Sequence, residues 1–568
     1  MPATASPPPD FDPARPAHHA ARTALAAWQA ETRRNFFARD AHLQRILKHH
    51  LGPSRYEAEV PALHAFGAAC ATTLDELARE TNRLENLPVL RRYDRIGNRT
   101  EEVVFHPGYA ELGAAVYATG AIARYNQIGQ ETAQLAYTYL YGHNGEAGHL
   151  CPLACTAGLV KIVQREAPSS LRAMLLPGLL RTDRNHPEHL HGAQFLTEVQ
   201  GGSDVGANAC VAVDAGDGTW RIHGEKWFCS VVDADLYLMT ARPEGAGAGT
   251  PGLGAFVVPR LLPDGRANGV HIRRLKDKLG TRSMASAELD FVGALAWPVV
   301  LDGGFKRVVE VVLNTSRLYN AVASSGMIRR VQIEAAAYAE HRTAFGRPIA
   351  EFPLVQKTLE SIRHESEAAT AGTFALAALS DRIDRAEAEG PPGDDAARAE
   401  RAVDQATWRL VVNMNKYFTS MRATRTILDG IEVFGGNGAI EEFSVLPRLL
   451  RDSVVCEQWE GTHNVLCAQV LRDLQKYQLH DAFFVSIAQM AAAGAKGRNP
   501  VAVSAARTFD ARIDADRRAV AEVLGSEPRR AAVAIRPLVD RLAATWQVAS
   551  LLVLCADGQP PSDAVQTR

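Results

Sequence analysis

A chain of 568 residues is too long to fold around one hydrophobic core, so we expect three or four structural units. An apolar content of 46%, a charged content of 22% and a net charge of −2 are ordinary for a globular protein, and they argue against one that mainly coats nucleic acid. No apolar run approaches the length of a membrane-spanning helix, so no membrane partner is expected.

The start of the chain and its cysteines indicate the compartment. Residues 1–20 are rich in proline and lack the apolar core of a signal peptide, so they are predicted to form a disordered arm. The eight cysteines form no Cys-x-x-Cys motif and do not cluster with histidines. We therefore expect buried, reduced thiols in a cytoplasmic protein, and no metal site.

Residues 21–192 are predicted to form an N-terminal helical domain, because apolar residues recur at three- and four-residue spacing. The stretch from Asn86 to Leu112 interrupts this pattern with Pro, Gly and an alternating Glu-Val-Val-Phe, which indicates irregular chain or a short hairpin. The nearly uncharged stretch from Leu150 to Gln164 is predicted to be buried or to lie beside a large apolar ligand.

Residues 193–302 change to short alternating runs separated by Gly, Asp and Pro, which predicts an antiparallel β domain. Within it, Gly245 to Gly252 reads GAGAGTPG. No helix pattern follows this stretch, so it is expected to be a flexible hairpin loop and not a phosphate cradle.

Residues 303–477 return to long amphipathic helices with one Gly/Pro/acidic crossover, which is typical of a four-helix bundle. Residues 478–568 are predicted to form a further helical appendage. Its pairs Arg517-Arg518 and Arg529-Arg530 could contact phosphate, but mixed charge of this kind is more typical of a solvated helix face.

Two late motifs carry residue types suited to a ligand site. Gly435-Gly436-Asn437-Gly438 allows close approach to the backbone. Glu460 lies between Trp459 and Gly461, and an apolar flank raises the pKa of a carboxyl group toward the range of a general base. Thr462 and Asn464 follow and can hydrogen-bond a polar ligand. Taken alone, the two motifs favour a Gly-rich turn and a surface Glu on a helix.

Six segments in order carry a family resemblance: FLTEVQGGSDVGANA from Phe195, GEKWFCSVVDAD from Gly224, LKDKLGTRSMASAELDF, HRTAFGRPIAEFPLVQ, FGGNG and WEGT. From about Tyr93 to Leu474 the chain resembles the acyl-CoA dehydrogenase superfamily of flavoproteins. The resemblance implies an α+β fold that is mainly α. In chain order this fold has a helical domain, an antiparallel β domain and a four-helix bundle, here with an extra helical appendage.

The resemblance also implies FAD as the cofactor. Thr197 and Ser203 match positions that hydrogen-bond the flavin ring and the pyrophosphate, and Gly202 leaves the backbone bare where phosphate approaches. Trp227 matches an aromatic residue whose flat face meets the isoalloxazine, although a core aromatic in a strand would look the same. Cys229 replaces the usual hydroxyl residue, so Ser230 is expected to substitute as donor.

A second set of positions implies an assembly. Arg342 and Phe345 match residues that reach the FAD of a neighbouring subunit, and Gly435 and Gly436 line the same path. The resemblance therefore implies a homo-oligomer, either a dimer or the tetramer usual in the family. We place Thr462 and Asn464 with the cofactor-binding residues.

For the chemistry, Glu460 matches the base that removes the α-proton of an acyl-CoA while hydride leaves the β-carbon for the flavin. Electrons then pass to an acceptor, typically an electron-transferring flavoprotein. Arg317 matches an arginine beside the substrate pocket, although a surface cation on an amphipathic helix is an equal alternative.

Several departures from the family pattern, together with the extra C-terminal helices, are similar to the AidB-type subgroup. That similarity leaves open a DNA-associated protective flavoprotein with vestigial dehydrogenase activity. The appendage is only mildly basic, so DNA binding is not carried over. A flavin oxidase or monooxygenase is a third alternative, disfavoured because such relatives often lack a Glu at position 460.

Overall fold

Helices dominate the computed structural model, which describes residues 16–555. The N-terminal helices are α1 (Pro16–Thr32), α2 (Ala41–Leu51), α3 (Pro53–Ala71), α4 (Thr73–Thr81), α5 (Pro107–Ala118), α6 (Glu131–Gly142), α7 (Ala147–Glu166) and α8 (Ser169–Leu179). Helix α1 starts inside the predicted disordered arm, because proline is favourable at the first helical position and alanines follow it. The rest of that arm, residues 1–15, lies outside the described residues.

A hairpin occupies the stretch where the helical pattern is interrupted. Strands β1 (Val89–Tyr93) and β2 (Arg99–Val104) pair antiparallel. Their turn is closed by the Asp94 carboxylate, which accepts the backbone N–H groups of Ile96 and Asn98. Of the two alternatives for this stretch, the structure therefore shows the short hairpin.

Seven strands form the β region: β3 (Gly192–Phe195), β4 (Val211–Asp214), β5 (Trp220–Ser230), β6 (Leu236–Pro243), β7 (Gly254–Pro259), β8 (Val270–Leu275) and β9 (Ser286–Val300). Strands β6, β4, β5, β9 and β7 pair in that order, and β7 pairs back to β6, so the sheet closes on itself. The stretch from Gly245 to Gly252 joins the antiparallel pair β6 and β7, as a hairpin loop should.

The prediction of an antiparallel sheet needs one correction. Strands β3 and β4 both run parallel to β6. Alternation within a strand shows which face is buried but not the direction of its partner, and parallel partners only require a long connection. The parallel pairing matters for the site because it fixes Gln194 of β3 opposite Leu238.

The second helical region follows the sheet and contains α9 (Gly304–Arg307), α10 (Asn314–His341), α11 (Pro353–Ala388), α12 (Asp395–Phe434), α13 (Leu446–Gln458) and α14 (His463–Tyr477). Helices α10, α11 and α12 pack against one another, and α13 and α14 pack on α12. The hairpin of β10 (Thr343–Ala344) and β11 (Arg347–Pro348) separates α10 from α11. The prediction of a mainly helical α+β fold with a helical bundle is confirmed.

The appendage consists of α15 (His480–Ala495), α16 (Pro500–Leu524) and α17 (Pro528–Cys555). Helix α17 packs along α11. Its Trp546 donates to the carbonyl of Gly372 at 2.8 Å, and its Asp540 accepts the Tyr417 hydroxyl at 2.7 Å. The appendage is therefore bonded to the bundle through one buried and one partly buried hydrogen bond. Residues 556–568, the end of the predicted appendage, lie outside the described part of the chain.

Between residues 16 and 555, no helix has both the length and the hydropathy needed to cross a membrane.

Candidate active site

The turn between α13 and α14 presents Glu460. Its backbone has φ +59°, a left-handed conformation that non-glycine residues rarely adopt, and Gly461 follows with φ +103°. Such a conformation costs of the order of 1 kcal/mol and persists only where the surroundings fix it. The structure therefore has to supply contacts that hold this turn in place.

Two buried cations make those contacts. Arg317, which is 4% exposed on α10, donates from Nε to the carbonyl of Glu460 at 3.1 Å. Lys416, fully buried on α12, donates from Nζ to the carbonyls of Glu457 and Gly461 at 3.1 and 3.0 Å. Arg317 is thus buried beside Glu460, which decides against the surface-cation alternative.

The pKa of the Glu460 carboxyl group is shifted toward neutral pH. Burial raises its pKa to about 7, against the opposing influence of Arg317, Lys416 and a hydrogen bond from Gln194. That bond joins Gln194 Nε2 to Glu460 Oε1 at 2.6 Å. Burial likewise lowers the pKa of Lys416 to about 7 and that of Arg317 to about 10. A carboxyl group with a pKa near 7 can accept a proton at physiological pH.

Polar atoms without a partner lie beside this carboxyl group. Gln194 Oε1 and Trp459 Nε1 are both buried and have no hydrogen-bond partner among the described residues. Cys155 of α7 lies close enough to Glu460 for their charges to interact, and its Sγ is 3.9 Å from that of Cys151. Buried polar atoms are normally satisfied, so this region has the donors and acceptors expected of a place that takes a polar ligand or water.

A second part of the site lies at the end of β3. The carbonyl of Thr197 accepts the backbone N–H of Trp227 at 2.9 Å, which joins two residues predicted to bind FAD. A Cβ on Gly202 would lie 2.4 Å from Thr197 Oγ1, so the Gly202 backbone comes closer to Thr197 than a side chain would allow. Ser203 is exposed next to it. A hydroxyl beside bare backbone fits a phosphate group, so these residues suit FAD.

Cys229 and Ser230 are adjacent in strand β5, and their side chains lie on opposite faces of the sheet. The thiol of Cys229 is fully buried and donates to the carbonyl of Lys226, whereas the hydroxyl of Ser230 is 2.9 Å from that of Ser286. Because side chains alternate across a strand, only Ser230 is on the face that could meet a ligand. Trp227 is partly buried, and the ammonium group of Lys276 lies 3.7 Å from its ring centroid.

The remaining predicted residues lie at the far end of the bundle. Arg342 directly follows α10, and its N–H donates to the carbonyl of Tyr338 at 2.8 Å. Phe345, at the tip of the β10–β11 hairpin, has φ +52° and is 97% exposed. Gly435 and Gly436 follow α12 and are exposed. At 1.5 Å per helical residue, Arg342 is about 37 Å along α10 from Arg317. This group therefore lies too far away to join the Glu460 site of its own chain.

Thr462 and Asn464 are exposed at the start of α14. Their side chains make no hydrogen bond to any residue that the structure describes, so both are free for a ligand or a partner chain. Three residues of this site were not predicted from the sequence. Gln194 donates to the Glu460 carboxyl group, Lys416 donates to the carbonyls of the turn, and Ser316 accepts from Gln194. One feature of the sequence could have pointed to Lys416: it is the only charged residue in the stretch VVNMNKYFTSM.

Comparison with known families covers most of the chain. Residues 28–185 match the adaptive response protein AidB N-terminal domain, residues 193–293 the acyl-CoA dehydrogenase middle domain, and residues 302–475 the acyl-CoA dehydrogenase C-terminal domain. The putative acyl-CoA dehydrogenase AidB of Escherichia coli strain K12 is 35% identical over 429 residues, which is 72% of this chain and 74% of that protein.

The chain belongs to the acyl-CoA dehydrogenase family. Within the family it is AidB-like, since both its N-terminal domain and this relative carry that name. FAD is the cofactor of the family, and the residues around Thr197 and Trp227 fit it. The acyl-CoA dehydrogenase family member 11 of Caenorhabditis elegans is 32% identical over 469 residues, covering 80% of this chain and 72% of that protein.

Two solved structures share the whole architecture of this AidB-like chain. The Caenorhabditis elegans protein ACDH-11 in complex with C11-CoA aligns with a TM-score of 0.82 at 27% identity, over 93% of this chain and 89% of that one. The apo-form of Bd2924 aligns with a TM-score of 0.80 at 28% identity, over 92% and 98%. Because both alignments cover more than 90% of this chain, they extend beyond the three matched family domains.

Proposed function

We propose that this protein is an FAD-dependent acyl-CoA dehydrogenase in which Glu460 removes the α-proton of the substrate. The observation that carries the proposal is the Glu460 carboxyl group itself. It is partly buried, is fixed by Arg317 and Lys416 through the carbonyls of its turn, and has a pKa of about 7. The acyl-CoA in the related ACDH-11 complex supports a thioester substrate of the same class.

The chemistry divides between cofactor and protein. FAD, when bound, supplies the acceptor for the hydride that leaves the substrate β-carbon. Glu460 takes the α-proton onto a carboxylate oxygen, so one proton and one hydride leave and an α,β double bond forms. As the α-proton moves to Glu460, the positive charges of Arg317 and Lys416 favour the negative charge that develops on the thioester oxygen.

We assign FAD to two sets of residues. Thr197, Gly202, Ser203, Trp227 and Ser230 would hold it within one chain. Arg342, Phe345, Gly435 and Gly436 would reach it from a second chain. Thr462 and Asn464, which are exposed just after Glu460, would also contact it. This arrangement implies a homo-oligomer, which we propose is a tetramer. An electron-transferring flavoprotein is the proposed acceptor and the cytoplasm the proposed location, which suits the buried free thiols from Cys70 to Cys467.

DNA association is the weaker alternative. Arg517, Arg518, Arg529 and Arg530 are exposed on the appendage. However, Glu527 caps the start of α17 and accepts the backbone N–H groups of Arg529 and Arg530, which places a negative charge beside this second pair. Duplex binding whose affinity falls steeply with salt would favour the alternative.

Anaerobic titration with a panel of acyl-CoAs tests the proposal. We expect at least one chain length to bleach the oxidised flavin band of the wild type, because hydride transfer reduces the flavin. Glu460→Gln should retain flavin and lose bleaching by at least about 1,000-fold, since the amide cannot take up the α-proton.

Glu457→Gln is the matched control, because its carboxylate pairs with His463, 3.3 Å away, and not with Gln194. It should bleach at close to the wild-type rate. Undiminished bleaching by Glu460→Gln would refute the assignment of the base, and a flavin that no thioester bleaches would refute the dehydrogenase.

A further inference from the structure

Gln194 is the closest polar side chain to the proposed base. It lies within β3, held by the parallel pairing to β6, so its backbone is part of the sheet. One N–H of its amide donates to Glu460 Oε1 at 2.6 Å and the other to Ser316 Oγ at 3.2 Å. Both amide hydrogens are thus used, and both bonds cross from the β region to the helices.

The other end of the same amide is unused. Gln194 Oε1 is buried and has no partner among residues 16–555. A neutral Glu460 carries an O–H that needs an acceptor, and a carboxylate needs donors. Turning the Gln194 amide by half a rotation exchanges Nε2 and Oε1, and then Oε1 accepts from Glu460 while the Ser316 hydroxyl reverses to become a donor. The same three side chains can therefore pair with the Glu460 carboxyl group in either protonation state.

We propose that Gln194 is a positioning residue for Glu460, donating to its carboxylate before proton transfer and accepting from its carboxyl group afterwards. This inference rests on the proposed function, because it takes Glu460 as the base. The amide moves no proton itself. It keeps the reacting oxygen directed at the substrate in both states and prevents a buried charge or hydroxyl from being left unpaired.

Other charged groups around Glu460 do not perform this role. Arg317 on α10 and Lys416 on α12 donate to carbonyls of the turn. Cys155 on α7 is a thiol whose pKa is raised by the contact with Cys151 and by burial, and the Glu457 carboxylate on α13 lies 3.3 Å from the His463 ring. Of these groups, Arg317 and Lys416 lower the pKa of Glu460. Of the hydrogen bonds that the described residues make, the one from Gln194 is made to the carboxylate oxygen itself.

The test is the pH profile of Gln194→Met, which keeps the side-chain length and removes the amide. Losing a donor to the carboxylate favours its protonated form, so the acidic limb of kcat/KM should move upward by about one pH unit. This corresponds to about tenfold lower kcat/KM at pH 6, with a much smaller loss at pH 9. Ser316→Ala, which removes only the second partner of the amide, should move the limb in the same direction by less.

Gln164→Met is the matched control, because Gln164 is also partly buried and donates its amide to a backbone carbonyl, that of Tyr125 at 2.9 Å. Its profile should coincide with the wild type. An equal loss at pH 6 and pH 9 in Gln194→Met, or no loss at either, would overturn the proposal, since a purely structural role acts at every pH.

Infrared titration of the holoenzyme separates this inference from the proposed function. The carboxyl band that disappears in Glu460→Gln reports the protonation of Glu460 without turnover, and its midpoint should rise in Gln194→Met. If Glu460→Gln still bleaches with acyl-CoA, the assignment of Glu460 as the base fails. The midpoint of the carboxyl band in Gln194→Met still shows whether Gln194 controls the protonation of Glu460. A midpoint that does not move overturns the role of Gln194.

Discussion

Glu460 combines two unfavourable features, a carboxyl group removed from water and a left-handed backbone. Each costs free energy, and the structure offsets both with the same two side chains, Arg317 and Lys416. Their hydrogen bonds go to carbonyls of the turn, and no cation among the described residues forms a direct ion pair with the carboxylate. Because a direct pair would lower the pKa far below neutrality, this indirect arrangement leaves Glu460 able to act as a base.

Replacing Lys416 tests whether the protein depends on this cation to stabilise the Glu460 turn. In Lys416→Met the carbonyls of Glu457 and Gly461 lose their donor inside the protein. We expect the free energy of unfolding to fall by about 2–3 kcal/mol, and the bleaching rate to fall while flavin stays bound. Urea unfolding and anaerobic absorbance measure the two effects.

Lys496→Met serves as the control, because Lys496 is exposed at the end of α15 and should change the free energy of unfolding by less than about 0.5 kcal/mol. If Lys416→Met were as stable and as active as the control, the turn would not depend on this cation.

The sequence predicted which segments form the candidate site better than it predicted the contacts between those segments. Glu460 was predicted from its motif and its role as the base stays a prediction, while the hydrogen bond between Thr197 and Trp227 joins two motifs predicted to bind one cofactor. Gln194 and Lys416 were missed because their importance depends on contacts with residues 266 and 45 positions away. Such contacts depend on how the β region docks on the bundle, which no local pattern records.

At the scale of elements, helix α10 connects two functional regions. Arg317 near its start faces the Glu460 turn, and Arg342 directly after its end leads into the β10–β11 hairpin. A rigid helix keeps these regions about 37 Å apart. The hairpin carries Phe345, whose ring is 97% exposed, and a large apolar side chain in that position is typical of a contact between chains.

Phe345→Asp tests whether that contact exists. A charge at the tip should weaken both the assembly and FAD retention by at least about tenfold, because the ring would enter a desolvated interface. Mass measured by light scattering and the ratio of flavin to protein report the two losses together.

Val533→Asp is the matched control, since Val533 is 76% exposed on α17 and lies outside every predicted cofactor segment. It should leave both quantities unchanged. A fully flavinated Phe345→Asp protein of wild-type mass would rule out the role of the hairpin.

At the scale of the whole molecule, the chain order of helices, sheet and bundle was predictable from changes in periodicity. The closure of the sheet and the parallel pairing of β3 with β6 were not, because alternation within a strand does not identify its neighbours. The appendage was predicted as helical but not how it docks. Its hydrogen bonds from Trp546 and Asp540 to the bundle make it part of the same folded body.

The most direct test of the central claim is hydrogen exchange at the α-carbon of an acyl-CoA bound to the reduced enzyme in D2O. This measurement isolates proton abstraction from hydride transfer, and mass spectrometry of the recovered thioester counts the deuterium. We predict that the wild type and Glu457→Gln incorporate one deuterium stereospecifically and that Glu460→Gln incorporates none. Exchange in Glu460→Gln at the wild-type rate would contradict the account.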